Sequence, residues 1–447
     1  MAQSRPSLFG ALLLILIGVL LLVPHPKGFW YFVAHYWPVL LILWGAIRLI
    51  EFFLPASASR SGLSGGEIVL IIFLVFAGGM FSVAYQYRNS SFANWIGFHR
   101  AWYWGNHYAF KSTADAELSP GMRVSVRGER ANITLVAGPA LRLQAENSAT
   151  VYASDEARAR SRFRNHPLSV ERRGGELIVW PTGQNSGGRT VSNLRLTLPP
   201  ATPVEIELRS GNLNFQGWKA RLAFHTGEGS VQGSGLSHSI NIQHSGGDIS
   251  LSNVQGGVQV QGDGGDVRLN AIAGPVHISG DYTGFVELSH LRQAADFISG
   301  RAHIGLAQLP GKLTWSIGHL TIEQGAGIHI VTRDQDVTLN DFRQGLRVED
   351  RDGSLQLTAA RLDGAIQAST REGDITLALP PGAGFDLTAS AGNGRVHSDF
   401  PLMAPGGAGL IRAGKSSGQV QGRAGKGGPA ISLSTTDGTI QLKKMPA

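Results

Sequence analysis

A spacing of 18 residues dominates the second half of the chain. A frame of glycine, a small or acidic residue and then apolar-x-apolar recurs at Gly211-Asn212-Leu213-Asn214-Phe215, Gly247-Asp248-Ile249-Ser250-Leu251 and Gly265-Asp266-Val267-Arg268-Leu269, and again at Gly353-Ser354-Leu355-Gln356-Leu357 and Gly373-Asp374-Ile375-Thr376-Leu377. Its first apolar positions form the series Leu213, Val231, Ile249, Val267, Val286, Ile304, Leu320, Val337, Leu355 and Ile375, with a mean step of 18 residues. A second series, Leu222, Ile240, Val258, Val276, Phe297, Leu313, Ile328, Leu346 and Ile366, falls between them with the same mean step of 18. The pattern is least regular between Gly280 and Gly311. Two strand-like runs per short, fixed period predict a parallel β-solenoid with roughly 18-residue coils. One coil cannot bury its alternate apolar side chains alone, but stacked coils pair their strands at about 4.8 Å and enclose a continuous aliphatic core. Glycine suits the corners, and Asp248, Asp266, Asp336, Asp374, Asn253, Asn270 and Asn340 can bond local amides there. A β-sandwich is the competing fold for short strands with frequent turns; the regular step favours the solenoid.

Composition narrows the chemistry. The 447 residues include 59 glycines and no cysteine, which excludes disulfide scaffolds, thiolate nucleophiles and cysteine-ligated metals. The net charge of +7 is divided: residues 1–110 carry +4 and the remaining 337 only +3. The repeat region lacks the basic excess that nucleic-acid binding needs, so no nucleic-acid partner is expected.

The N-terminal region has a different texture. Residues 8–23, 37–54 and 68–85 are apolar runs near the length needed to cross a ~30 Å hydrocarbon core, and they predict three transmembrane helices within a region 1–90. No small-x-small cleavage site follows the first run, which argues against a signal peptide. Aromatic residues crowd the flanks (Trp30, Tyr36 and Trp37, then Trp95, Trp102 and Trp104), as at a headgroup interface, and 91–117 reads as an aromatic interfacial linker. Arg48 and Glu51 share a helix face and can pair. Leu8-Phe9-Gly10, Gly18 and the run from Tyr36-Trp37-Pro38 to Trp44-Gly45 resemble the transmembrane region of Lia-type cell-envelope stress-response proteins. That resemblance implies a regulator acting on a membrane signalling partner.

Residues 118–205 carry strand-like runs without the 18-residue step and read as a β-rich cap, with 206–447 as the repeat domain. Asp155 to Arg164 is helix-compatible, with Ser154 available as N-cap. Its arginines (Arg158, Arg160, Arg162, Arg164, with Arg172 and Arg173) could touch phosphate, but a solvated helix face explains them as well. Residues 400–430 read as a long Gly/Ala/Pro-rich loop before strands return at Ala430-Ile431-Ser432-Leu433 and Gly438-Thr439-Ile440-Gln441-Leu442. Leu196-Thr197-Leu198-Pro199, Val204-Glu205-Ile206, Arg209-Ser210-Gly211-Asn212-Leu213 and the serial Gly-Asp frames are similar to the bacterial putative-adhesin family of β-strand repeat domains. The ending Ser434-Thr435-Thr436-Asp437-Gly438-Thr439-Ile440 matches it too. The resemblance covers about residues 120–445 and implies surface attachment, with no functional residues to carry over.

Catalytic signatures are missing from the sequence. The histidines of the repeat (His225, His238, His244, His277, His290, His303, His319, His329 and His397) do not fall at close ligand spacing, and no zinc-protease, nucleophile-elbow or phosphate-loop motif occurs. Gly262-Asp263-Gly264-Gly265-Asp266 resembles a calcium repeat but occurs once and fits a corner turn. Asp334, Asp336, Asp341, Glu349, Asp350 and Asp352 are the densest carboxylates, the one place a glycosidase-like pair could lie. The expectation is a membrane-anchored, non-enzymatic all-β protein with no catalytic, cofactor or metal residues. Its partners would be the lipid bilayer, envelope polysaccharide or membrane signalling proteins, or further copies of itself. Positive charges split three against three across the helices, so orientation rests on the odd number of spans. With the N-terminus inside, the repeat domain lies outside the cytoplasmic membrane.

Overall fold

The structure, a computed structural model, describes residues 106–183, 189–404, 409–411 and 418–446, which belong to a unit spanning 101–447. Two sheets, A and B, face each other across one aliphatic core, and each coil contributes one strand to each sheet. The unit opens with β1 (Asn106–Glu117), β2 (Arg123–Ala137), β3 (Arg142–Ala153), the helix α1 (Glu156–Asn165), β4 (Ser169–Arg173), β5 (Glu176–Trp180) and β6 (Thr190–Leu198). Residues 106–117, read from sequence as the end of a linker, thus form a strand, antiparallel to β3 along its whole length. β3 continues antiparallel onto β6, and β6 runs parallel to the trailing half of β2. The leading half of β2 lies in sheet B, so this one strand turns the first corner and belongs to both sheets.

From there the coils stack in parallel. β7 (Val204–Ser210), β9 (Leu222–Glu228), β11 (Ile240–His244), β13 (Val258–Gly262), β15 (Val276–Ser279) and β17 (Ala295–Ile298) build sheet B. β8 (Leu213–Gln216), β10 (Val231–Leu236), β12 (Ile249–Val254), β14 (Val267–Ile272) and β16 (Val286–Leu291) build sheet A. The register follows the sequence period: Leu213, Val231, Ile249, Val267 and Val286 lie side by side, all inward and buried. In sheet B, Leu222, Ile240, Val258 and Val276 do the same, but the next partner is Ala295, and Phe297 stands opposite Ile278.

Corners are held by side chains that cap the following coil. Asn212 Oδ1 accepts from Ser230 N–H (2.8 Å), Ser230 Oγ from Asp248 N–H (3.0 Å), Asp248 Oδ1 from Asp266 N–H (2.8 Å) and Asp266 Oδ1 from Phe285 N–H (3.0 Å). These corner residues therefore bond the amide one coil onward rather than a local one, which satisfies donors that a turn would otherwise leave unpaired. At Gly262 (φ +125°) a Cβ would lie 1.6 Å from the His244 carbonyl oxygen, so the coils meet too closely there for any side chain.

The expected fold is corrected in three respects. First, the stack is not parallel throughout. β18 (Ala302–Ser316) runs backwards, pairing antiparallel with β17 and β16 on one side. On its other side it pairs antiparallel with β19 (His319–Glu323) and β20 (Ala326–Thr332). Ile304 accordingly lies in sheet B opposite Phe297, and Leu313 in sheet A opposite Leu288, the reverse of their assigned series. Parallel stacking resumes with β21 (Asp336–Asn340), β22 (Arg343–Glu349), β23 (Leu355–Thr358), β24 (Ile366–Glu372) and β25 (Ile375–Leu379).

Second, spatial order departs from chain order at the far end. The chain passes through β26 (Phe385–Ala391), β27 (Val396–Ser398), β28 (Leu402–Met403), β29 (Leu410–Ile411) and β30 (Gln419–Ala424) before β31 (Ala430–Asp437) and β32 (Ile440–Lys444). β31 inserts between β24 and β26, parallel to both, and β32 lies between β25 and β27. β28 and β30 close sheet B with antiparallel pairing.

Third, the reading of a membrane-anchored protein with three transmembrane helices is replaced by a mostly β, solenoid-like unit. Among the described residues no helix is long and apolar enough to cross a membrane. The runs 8–23, 37–54 and 68–85 lie outside the described residues. α1 has ten residues, and its N-cap is Asp155, whose Oδ1 accepts from Arg158 N–H at 2.8 Å; Ser154 instead donates its hydroxyl to Asp155.

Candidate functional site

Parallel, in-register strands force outward side chains into straight rows. On the outer face of sheet B, Glu207, His225, Gln243 and Gln261 form one row across β7, β9, β11 and β13. Glu205, Ala223, Asn241, Gln259 and His277 form the adjacent row, which continues to Asp296. The His225 and Gln243 side chains meet at 2.9 Å, and Glu207 pairs with Arg127 at 3.4 Å. The first row borders an open depression of about 650 Å³, lined also by Leu208, Thr226, His244 and Ser245. In the second row the Asn241 Oδ1 is buried without a hydrogen-bond partner. Amide, imidazole and carboxylate groups repeated at the strand spacing of about 4.8 Å offer hydrogen-bond donors and acceptors along a line. His225 faces an amide oxygen here, not a nucleophile that it could activate.

Further along the same face the structure gathers histidines that sequence spacing separates. His277 Nδ1 lies 3.2 Å and His303 Nε2 2.8 Å from the two carboxylate oxygens of Asp296. The His329 ring centroid is 6.1 Å from that of His303. Exposed Ile298 and Val331 flank His303 in register. His277 and Asp296 are one coil apart, a relation the period could have revealed, whereas His303 joins them only because β18 is reversed. Among the described residues, no three His, Asp or Glu side chains are grouped so as to hold a metal ion.

Five of the six clustered carboxylates have separate duties. Asp336 Oδ1 caps Ser354 N–H at 3.0 Å, Asp341 pairs with Arg343 at 3.6 Å, and Glu349 accepts from Arg347 Nε at 2.8 Å. Asp352 bonds Arg371 at 2.7 Å, which holds its carboxyl below the usual range. Asp350 points inward, buried, and accepts from the Thr332 hydroxyl at 2.6 Å. This geometry does not set two free carboxylates across an open cleft as glycoside hydrolysis requires. In the calcium-like loop, Asp263 Oδ1 accepts from Asp281 N–H and Asp266 pairs with Arg268, which are the duties of a corner turn. Three α1 arginines are held locally, Arg158 by Asp155 and Ser154, Arg160 by Glu156 and Arg162 by the Tyr152 carbonyl.

Inside the corner below the depression, His244 reaches Tyr282, with Nε2 3.4 Å from the phenol oxygen. Burial lowers the His244 imidazole below its ordinary value and raises the Tyr282 phenol well above its own. Both are therefore neutral at physiological pH, and the pair acts as a packed hydrogen-bonding unit.

Residues 311–443 match the family described as Toastrack DUF4097. The chain is also similar to three solved structures. One, from Clostridium sporogenes, is described as a putative cell adhesion protein (11% identity over 76% of this chain and 100% of that one, TM-score 0.18). Another, from Bacteroides fragilis, is a putative adhesin (10%, 75% and 97%, TM-score 0.17). The third, from Parabacteroides distasonis, is described as a putative lipid binding protein (11%, 75% and 97%, TM-score 0.21). Superposition at this level assigns no function to this chain. No curated protein matches it.

Proposed function

We propose that this chain is a non-enzymatic, adhesin-like binding protein whose sheet B face holds an extended polysaccharide of the cell envelope, outside the cytoplasm. The observation that carries this reading is the straight row Glu207–His225–Gln243–Gln261 beside an open depression. Hydroxyl-rich polymers bind through many weak hydrogen bonds, and a row of side chains repeated along one axis supplies them without a deep pocket. The shallow, polar surface suits a long ligand better than a small molecule, which needs a concave and mostly apolar site.

Sedimentation of the full-length protein with purified, insoluble cell-wall polysaccharide tests this. Co-sedimentation is expected, and the double variant Gln243→Ala, Gln261→Ala should weaken it about tenfold, the loss of roughly 1.4 kcal/mol, with an unchanged melting temperature. Equal sedimentation of both proteins would remove the face from the argument. Recovery of a membrane signalling protein by crosslinking, with no polysaccharide retained, would instead favour a regulator of the envelope stress response. Alkaline phosphatase fused after residue 120 is expected to be active, and an inactive fusion would overturn placement outside the cytoplasm.

A further inference from the structure

The third inward position of each sheet B strand forms a row at the corner where the chain leaves sheet B for sheet A. Threonine occupies it at Thr226, Thr370 and Thr435, each hydroxyl donating to a backbone carbonyl: Glu228 (3.1 Å), Gly353 (3.1 Å) and Gly373 (3.0 Å) respectively. Thr332 belongs to the same row, yet its hydroxyl donates to a carboxylate oxygen, because the next place is held by Asp350.

Asp350 is only 8% exposed. Its N–H donates to Ser369 O and its Oδ1 accepts from Thr332, while its Oδ2 is buried with no hydrogen-bond partner. Gln335, 1% exposed, lies in the turn of the preceding coil, and its Oε1 is likewise buried and unpartnered. Gly353 brings the two residues together: a Cβ there would lie 2.1 Å from the Gln335 carbonyl oxygen and 2.8 Å from Asp350 Oδ2. Asp350 Oδ2 and the Gln335 backbone carbonyl oxygen thus border one small space, and no donor is placed for Oδ2. An ionised carboxylate in that position forfeits its hydration, and only the Thr332 hydroxyl and the Arg351 amide replace it, both short of what Oδ2 lacks.

The surrounding charges do not relieve it. The β20–β21 turn carries Arg333 and Asp334, and β21 opens with Asp336; the end of β22 carries Glu349, held by Arg347; the β22–β23 turn carries Arg351 and Asp352; and the end of β24 and the turn after it carry Arg371, Glu372 and Asp374. Arg351 and Arg371 are engaged by Asp352, and Arg371 also by Glu372. Asp334 and Asp352 place like charge near Asp350.

We propose that Asp350 is held as a neutral carboxylic acid whose Oδ2 hydroxyl donates to the Gln335 backbone carbonyl oxygen, making this corner a proton-dependent latch between two successive coils. Burial, the largest influence, raises its carboxyl above the ordinary value of 3.8, and Asp352 and Asp334 push the same way against the bonds from Thr332 and Arg351. The sign follows from linkage. A carboxyl raised in the folded state stabilises the fold fully below the unfolded value near 3.8, and this contribution is lost as pH rises through the folded value. Ionisation withdraws the donor and sets three carboxylates against one another, so the corner loosens.

Thermal unfolding of the full-length protein across about pH 4 to about pH 8 tests the latch against Asp350→Asn, which stays neutral and can donate from Nδ2, and Asp350→Thr, which restores the row. Both variants are expected to melt close to wild type at the acid end and a few degrees above it at the alkaline end. Hydrogen exchange in residues 349–354, corrected for the intrinsic rate, should accelerate with pH in wild type alone. Infrared difference spectra of wild type need no variant to fold, and they should show a protonated carboxyl lost over the same pH range. A pH-independent difference, or variants less stable at the alkaline end, would overturn the proposal. Added calcium that raises the wild-type melting temperature but not that of Asp350→Asn would also overturn it, by showing that a cation rather than a proton fills the space.

Discussion

Ile249→Asp is expected to remove about 4 kcal/mol or more from the unfolding free energy, while Ser250→Asp changes it by less than about 0.5 kcal/mol. The two residues are adjacent in β12 and their backbones pair with the same neighbours, so the contrast isolates side-chain direction. Ile249 is fully buried, with Val231 on one side and Val267 on the other. Aspartate there loses the transfer free energy of the isoleucine, about 2–3 kcal/mol, and brings a carboxylate into a layer whose facing side chains are aliphatic. That carboxylate must either remain unsolvated or take up a proton, and each route costs stability. Ser250 points outward between Gln232 and Arg268; an added carboxylate remains in water and gains at most a weak attraction to the guanidinium. Denaturant melts of the full-length variants measure both. Equal losses would show that the inward and outward faces have been exchanged.

That contrast was legible in the sequence because the side-chain period of a strand is two and the coil period is 18. A shift of one residue would have turned every apolar side chain to solvent. The same arithmetic made the candidate face readable: Glu207, His225, Gln243 and Gln261 are spaced at 18, so one outward member identifies the others. Polar residues at outward positions carry no distinguishing signal in the sequence, because solvated strand faces are ordinarily polar.

The reversal of β18 was hidden for a different reason. Apolar-x-apolar reads the same in both directions, and Ile304 and Leu313 fill core layers whether the strand runs up or down. A punctuating signal was present at Ile317-Gly318, where Gly318 adopts φ +90° and allows β18 to fold back on β19. A period count assumes that every strand runs in the same direction, and this assumption placed β18 wrongly. Phe297 fell two positions out of register for a separate reason: the parallel partner of Val276 is Ala295, a small apolar residue that the larger Phe297 outweighs in the pattern. The duties of the carboxylates were illegible in principle. Asp350 and Asp352 differ by two residues and share a composition, but one faces the core and the other an arginine, and only the corner geometry decides which.

The second large effect concerns the order of coils at the C-terminal end. A chain ending at Pro429 lacks β31 and β32, and the loss should exceed that of any point substitution. Ile431, Leu433, Ile440 and Leu442 are all buried, and removing them forfeits roughly 8–10 kcal/mol of transfer free energy. The backbone cost is double-sided, because β31 bonds β24 through Ile366↔Ile431 and β26 through Leu387↔Ile431, while β32 bonds β25 and β27. Without this coil, two parallel edges face a gap one strand wide, and their N–H and C=O groups have no partners. Coils interact only with their neighbours, so the damage should spread from the gap and fade with distance. Hydrogen exchange of the truncated chain is therefore expected to show lost protection in β24 to β27 and nearly full protection in β8 to β15. Retained protection in Phe385–Ala391 would mean that β26 does not depend on β31, and the insertion of the last coil between two earlier ones would be wrong.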